Sequence, residues 1–130
     1  MTMARGSFEV TLGGEDTLDE HDGIRLTHAS GGQTFTGDIE GVGAIDWLML
    51  YRPDRTAHFV GLQRISGSIG GRHGAFVIAA EGDHDGSSST IAWTVIPGSG
   101  TGELAGISGA GQMVAGGKTG TYELEYRLES

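Results

Sequence analysis

Gly100-Thr101-Gly102-Glu103-Leu104-Ala105 matches G-x-G-x-x-A letter for letter, the pattern with which a strand-to-helix turn holds a dinucleotide pyrophosphate. That chemistry needs a helix whose first N–H groups face the phosphate. The residues that follow, Gly106-Ile107-Ser108-Gly109-Ala110-Gly111, would make a poor one, losing about 1 kcal/mol per glycine. The run therefore reads as a strand, GELAGIS, with Leu104, Gly106 and Ser108 on its inner face and Glu103 outside. GGKTGT at 116–121 resembles the end of a phosphate-binding loop, but G-x-x-x-x-G-K needs a glycine at 112, where Gln112 stands, and the segment reads as a turn.

Metal and nucleophile chemistry find equally little. Asp83, His84 and Asp85 are adjacent in a tight turn, a spacing that rarely converges on one ion. The acids of GGEDTLDEHDG at 13–23 lack the alternation of a calcium loop and read as a mobile loop at a barrel mouth. There is no cysteine, so thiolate sites and disulfides are excluded. Ser99, Ser108 and Ser87 to Ser89 lack the strand–turn–helix context of an activated serine. No metal and no cofactor are expected.

The elements that must position any chemistry are strands. Helical periodicity is absent, and period-two alternation marks about eight runs: SFEVTL, IRLTH continuing through two glycines into QTFTG, GAIDWLMLYR, AHFVGLQRISG, GAFVIAAEG, TIAWTVI, GELAGIS and TYELEYRLE. Turn residues separate them at 13–14, 52–55, 69–74, 83–89, 97–100 and 116–120. Charges choose one face of each run: Asp38, Glu40 and Asp46 oppose Ile39, Ile45, Trp47, Met49 and Tyr51, and Glu123, Glu125 and Arg127 oppose Tyr122, Leu124, Tyr126 and Leu128. The expected fold is all-β, a closed antiparallel barrel of about eight strands forming one domain over 1–130, since closure removes exposed sheet edges.

Within such a barrel, Trp47, Tyr51, Phe59, Gln63, Phe76, Trp93 and Tyr122 would line the interior as a ligand-binding set. Its hydrogen-bonding groups would be Tyr51, Tyr122, Tyr126, Gln63, Ser108 and His28, with no carboxylate or cation among them. Val42, Leu48, Leu50, Val60, Leu62, Val77 and Ala79 fall on the charged, outward parity, and such a patch implies a homodimer or higher homo-oligomer. Seventeen acidic against eight basic residues give a formal charge of −9, which disfavours nucleic acid and anionic membranes as partners. The first residues, MTMARGSFEV, lack the apolar core of a secretory signal, so a cytoplasmic location is expected.

The strings VIPGSGTGELAGISGAG, FVGLQRISGSIGGRHGAFV and GDIEGVGAIDWLMLYRPD resemble a bacterial family catalogued as domain of unknown function 3224, along nearly the whole chain. The resemblance implies a barrel similar to allene oxide cyclase, a fold whose relatives include cyclases of small lipophilic molecules. It carries over no catalytic residue. The expected function is binding of a small, largely apolar molecule in the barrel interior, as a cyclase or isomerase that works by shape and orientation. The alternative is a non-catalytic protein, either a ligand carrier or an assembly barrel with a filled core.

Overall fold

Side chains that alternate between charged and uncharged every second residue can satisfy both water and a core only in extended backbone. The computed structural model, which describes residues 1–128, shows that outcome throughout. The strands are β1 (Thr2–His21), β2 (Ile24–Gly37), β3 (Ile39–Tyr51), β4 (Ala57–Ile69), β5 (Arg72–His84), β6 (Ser89–Val95), β7 (Thr101–Gly102), β8 (Ile107–Gly116) and β9 (Thr119–Leu128). All neighbours are antiparallel in the order β4-β3-β2-β1-β9-β8-β6-β5, and β5 returns to pair with β4. The sheet is thus a closed barrel of eight long strands, with β7 a two-residue addition on β5. Glu129, at the end of the expected last strand, lies outside the described residues.

Three expectations about the chain path need correction. The glycines at 13 and 14 do not make a turn: β1 runs through them, a register shift between Leu12 and Gly14 absorbing the irregularity. The turn comes at Asp22-Gly23, whose φ values of 54° and 80° suit the tight hairpin that an Asp-Gly pair favours. The segment 13–23 is therefore the end of a β-hairpin and not a mobile loop. GELAGIS is not one strand either: after β7 the chain turns at residues 103–106, and β8 begins at Ile107. The turn carries Gly106 at φ 84° and buries Leu104, and it resets the parity, so Ile107 faces inward and Ser108 does not.

Four hairpin connections, at 22–23, 52–56, 85–88 and 117–118, surround one end of the barrel, here called the mouth. The opposite end is full. Ile39, Ile69, Leu104 and Ile107 are buried there, beneath Phe35, Trp93 and Tyr122, whose ring centroids lie 5.9–6.1 Å apart. The Tyr122 hydroxyl accepts the Ile39 N–H at 2.8 Å and donates to the Thr36 carbonyl at 2.8 Å. It thereby fixes the β2–β3 corner from inside the barrel.

Nearer the mouth, Trp47 lies against Phe59 with centroids 5.5 Å apart. Its indole needs a residue without a side chain on the next strand. That residue is Gly61, paired with Trp47, where a Cβ would overlap the indole Cδ1 and the Asp46 carbonyl.

Tyr122→Phe should leave the barrel intact but destabilise it by about 1–3 kcal/mol, because it leaves the Ile39 N–H and the Thr36 carbonyl short of a partner. Urea unfolding followed by tryptophan fluorescence measures this, and an unchanged midpoint would refute the role given to the hydroxyl.

Candidate functional site

A full closed end leaves whatever free volume the barrel has at the mouth. A cavity of about 290 Å³ opens there, at the lower edge of the range of roughly 300–1,000 Å³ usual for small-molecule sites. Alternation along β1, β3 and β4 delivers Phe8, Val10, Met49 and Phe59 to its wall, and Ile91 and Met113 come from β6 and β8. Of the expected lining residues, Trp47, Tyr51 and Phe59 meet around this cavity. Phe76, Trp93 and Tyr122 do not, being buried outside it.

Gln63 is fully buried just outside the lining, and its amide N–H donates to Gln33 Oε1 at 3.1 Å. Gln33, which the sequence reading passed over, is the member of this pair that lines the cavity, and its own amide reaches only the thioether of Met113 at 4.0 Å. Gln63 Oε1, Trp47 Nε1 and Trp93 Nε1 are buried with no hydrogen-bond partner among the described residues. Orphaned polar atoms cost about 1–3 kcal/mol each, and proteins retain them at functional sites more readily than in plain packing.

Lys118 in the lining corrects the expectation of no cation there, and a carboxylate meets Tyr51 from the exposed side of the rim. Glu15 lies on β1 past the bulge, and its Oε2 accepts the Thr27 hydroxyl at 2.6 Å and the Tyr51 hydroxyl at 2.5 Å. Partial burial opposes ionisation of Glu15, but the two hydroxyls and nearby Arg25 outweigh it and hold the carboxyl below its usual range. Burial, reinforced by the carboxylate it donates to, pushes the Tyr51 phenol up to about 12. Arg25 lies over the Tyr51 ring, 4.8 Å from its centroid. The pair is therefore a neutral phenol bound to an ionised carboxylate over a wide pH range.

His28 is also misplaced by the sequence reading: it faces outward, with Nε2 3.1 Å from Asp46 Oδ1 on β3. Ser108, carried outward by the parity change, does not line the cavity. At the DHDG turn, Asp85 Oδ1 accepts the backbone N–H groups of Ser87 and Ser88 and the Ser87 hydroxyl, which together hold its carboxyl down at about 2. Among the described residues, no group of three or more His, Asp or Glu side chains is placed to hold a metal ion, and no helix is long and apolar enough to cross a membrane.

The parity of Gln33 with Phe35 was legible in the string QTFTG and would have placed Gln33 inside. Nothing comparable pointed to Glu15, since its position depends on the bulge that precedes it.

The chain belongs to the family described as protein of unknown function DUF3224, whose profile matches residues 4–126. It is similar to a crystal structure of a protein with unknown function from that family, from Shewanella oneidensis MR-1. That likeness has 28% identity and a TM-score of 0.87, covering 100% of this chain and 98% of the other. No curated protein matches the chain.

The Tyr51–Glu15 bond fixes two pH limits. A raised phenol pKa means the folded state holds its proton longer than the unfolded chain, so this contribution is lost as pH climbs from about 10 towards 12. A lowered carboxyl pKa works on the acid side: the Glu15 contribution is complete above its unfolded value of 4.5 and disappears as pH falls through the folded value. Ultraviolet titration of phenolate should find one tyrosine ionising near pH 12, and Glu15→Gln should bring that step down. A Tyr51 step unchanged by the substitution would rule out the coupling.

Proposed function

We propose that this protein binds a small, largely apolar molecule in the mouth-end cavity. The observation that carries the reading is the uneven filling of the barrel, packed with aromatic and aliphatic side chains at one end and open over about 290 Å³ at the other. A barrel kept only for structure gains by filling both halves, since each unfilled volume forfeits contacts. Phe8, Met49, Phe59, Ile91 and Met113 supply an apolar wall, and Gln33 supplies one amide on which a guest can be oriented.

Binding is the core of the proposal, and cyclisation or isomerisation of the allene oxide cyclase kind is the chemistry this site would suit. The wall would fold the guest by shape. Tyr51 would present a phenol backed by the Glu15 carboxylate, an acid–base pair at the rim. A carrier would use the same wall and leave that pair idle.

Apolar metabolites of about ten carbons should raise the melting temperature and change Trp47 fluorescence. Met49→Trp, which fills the cavity from β3, should abolish both effects while the variant stays folded by circular dichroism. Binding that survives the plug would place the ligand elsewhere and overturn the reading. Among ligands that bind, Tyr51→Phe separates the two uses: lost turnover with retained affinity marks an enzyme.

A second reading, self-assembly, is favoured by the outer wall. Val42, Leu48, Leu50, Val60 and Leu62 are exposed on adjoining β3 and β4, around a groove that also holds Asp46 and Arg64. With Asp46 and Arg64 on one apolar face, the surface carries both signs of charge and is suited to meet its own kind, so the occupant we assign is a second copy of the chain. Light scattering should give a dimer that Leu62→Glu converts to monomer, and a monomeric wild type at tens of micromolar would exclude it.

A further inference from the structure

The rim has a chemical bias that the apolar wall does not explain. Although acidic residues outnumber basic ones seventeen to eight in the chain, none of the cavity-lining residues is Asp or Glu. The lining does include Lys118 and His84.

The other polar groups at the rim are already engaged, and the two further donors of the lining, the Gln33 amide and Trp47 Nε1, are buried. The Tyr51 hydroxyl is bound to Glu15, and the Ser89 hydroxyl lies 2.9 Å from His84 Nδ1. Gln33 Oε1 takes the Gln63 amide. That leaves His84 Nε2 and Lys118 Nζ, neither of which has a hydrogen-bond or ion-pair partner among the described residues.

Register puts the two on one arc of the mouth. His84 ends β5 opposite Ser89, Ser89 lies opposite Ala115, and Lys118 follows in the turn from β8 to β9. The backbone of that turn is held to β1 by the Val10 N–H donating to the Lys118 carbonyl at 2.7 Å.

We infer that the guest is an amphipathic carboxylate, its hydrocarbon part between Met49, Phe59, Ile91 and Met113 and its head group at Lys118 and His84. This rests on the cavity reading above and specifies its ligand class. A lysine ammonium without a protein partner, with the His84 imidazole on the same arc of a chamber whose lining holds no Asp or Glu, suits an anion joined to a hydrocarbon. The cavity size suits a medium chain, because a longer one would project past the rim.

The test compares decanoate with 1-decanol, which share the hydrocarbon and differ in the charged head, by calorimetry below the critical micelle concentration. Decanoate should bind at least tenfold more tightly than decanol. Lys118→Gln should cost decanoate about tenfold and leave decanol unchanged, with an unaltered melting temperature showing that the variant is folded. Equal affinities for the two ligands would overturn the head-group assignment while leaving the cavity reading intact. Binding of neither would overturn both.

Discussion

The ladder between β4 and β5, unbroken from Ala57 opposite His84 to Ile69 opposite Arg72, joins the two ends of an eight-stranded sheet that would otherwise be open. Through it the sheet closes on itself, and the two faces of every strand acquire fixed meanings. Below the mouth the inward face excludes charge because no water reaches it, and the outward face accepts charge freely. The separation of Trp47 from Asp46, and of Tyr122 from Glu123, follows from this closure. A strand slipped by one residue would exchange them.

Closure alone does not decide whether a barrel is solid or hollow. Here the decision is made by side-chain size at each level. At the closed end Phe35, Trp93 and Tyr122 meet across the axis, and the turn at 103–106 adds Leu104 as a plug. Towards the mouth, the inner positions become Val10, Met49, Ala57 and Ala115, which are too small or too slender to meet in the middle. The volume between them is a consequence of taper, and its walls are held by the rigid half beneath. A site placed on strands above a packed floor keeps its shape without needing ligand to order it.

Much of this was legible in the sequence because parity is strictly local. Ile39, Ile45, Trp47, Phe59, Phe76 and Tyr122 face inward as alternation requires, and the outward positions of Leu48, Val60 and Leu62 follow from the same count. The count fails where an irregularity resets it. The bulge after Leu12 shifts Glu15, Gly106 turns the chain before Ser108, and His28 was assigned beside two glycines that β2 passes through without interruption. The candidate site straddles these irregular places. Trp47 and Phe59 could be read on their strands, whereas Glu15 depends on a bulge and Lys118 on a turn, features fixed by pairing with distant segments.

Above the level of Val10, β1 separates from β9 and continues to His21 paired with β2 alone. Along this stretch the outer edge of β1 carries one row of backbone amides and carbonyls unclaimed by any other strand among the described residues, while β2 stays paired with β3 up to Arg25. Glu15, Asp16, Asp19, Glu20 and Asp22 crowd this stretch. Their mutual repulsion guards against templated growth, in which the bare margin of one molecule recruits that of the next.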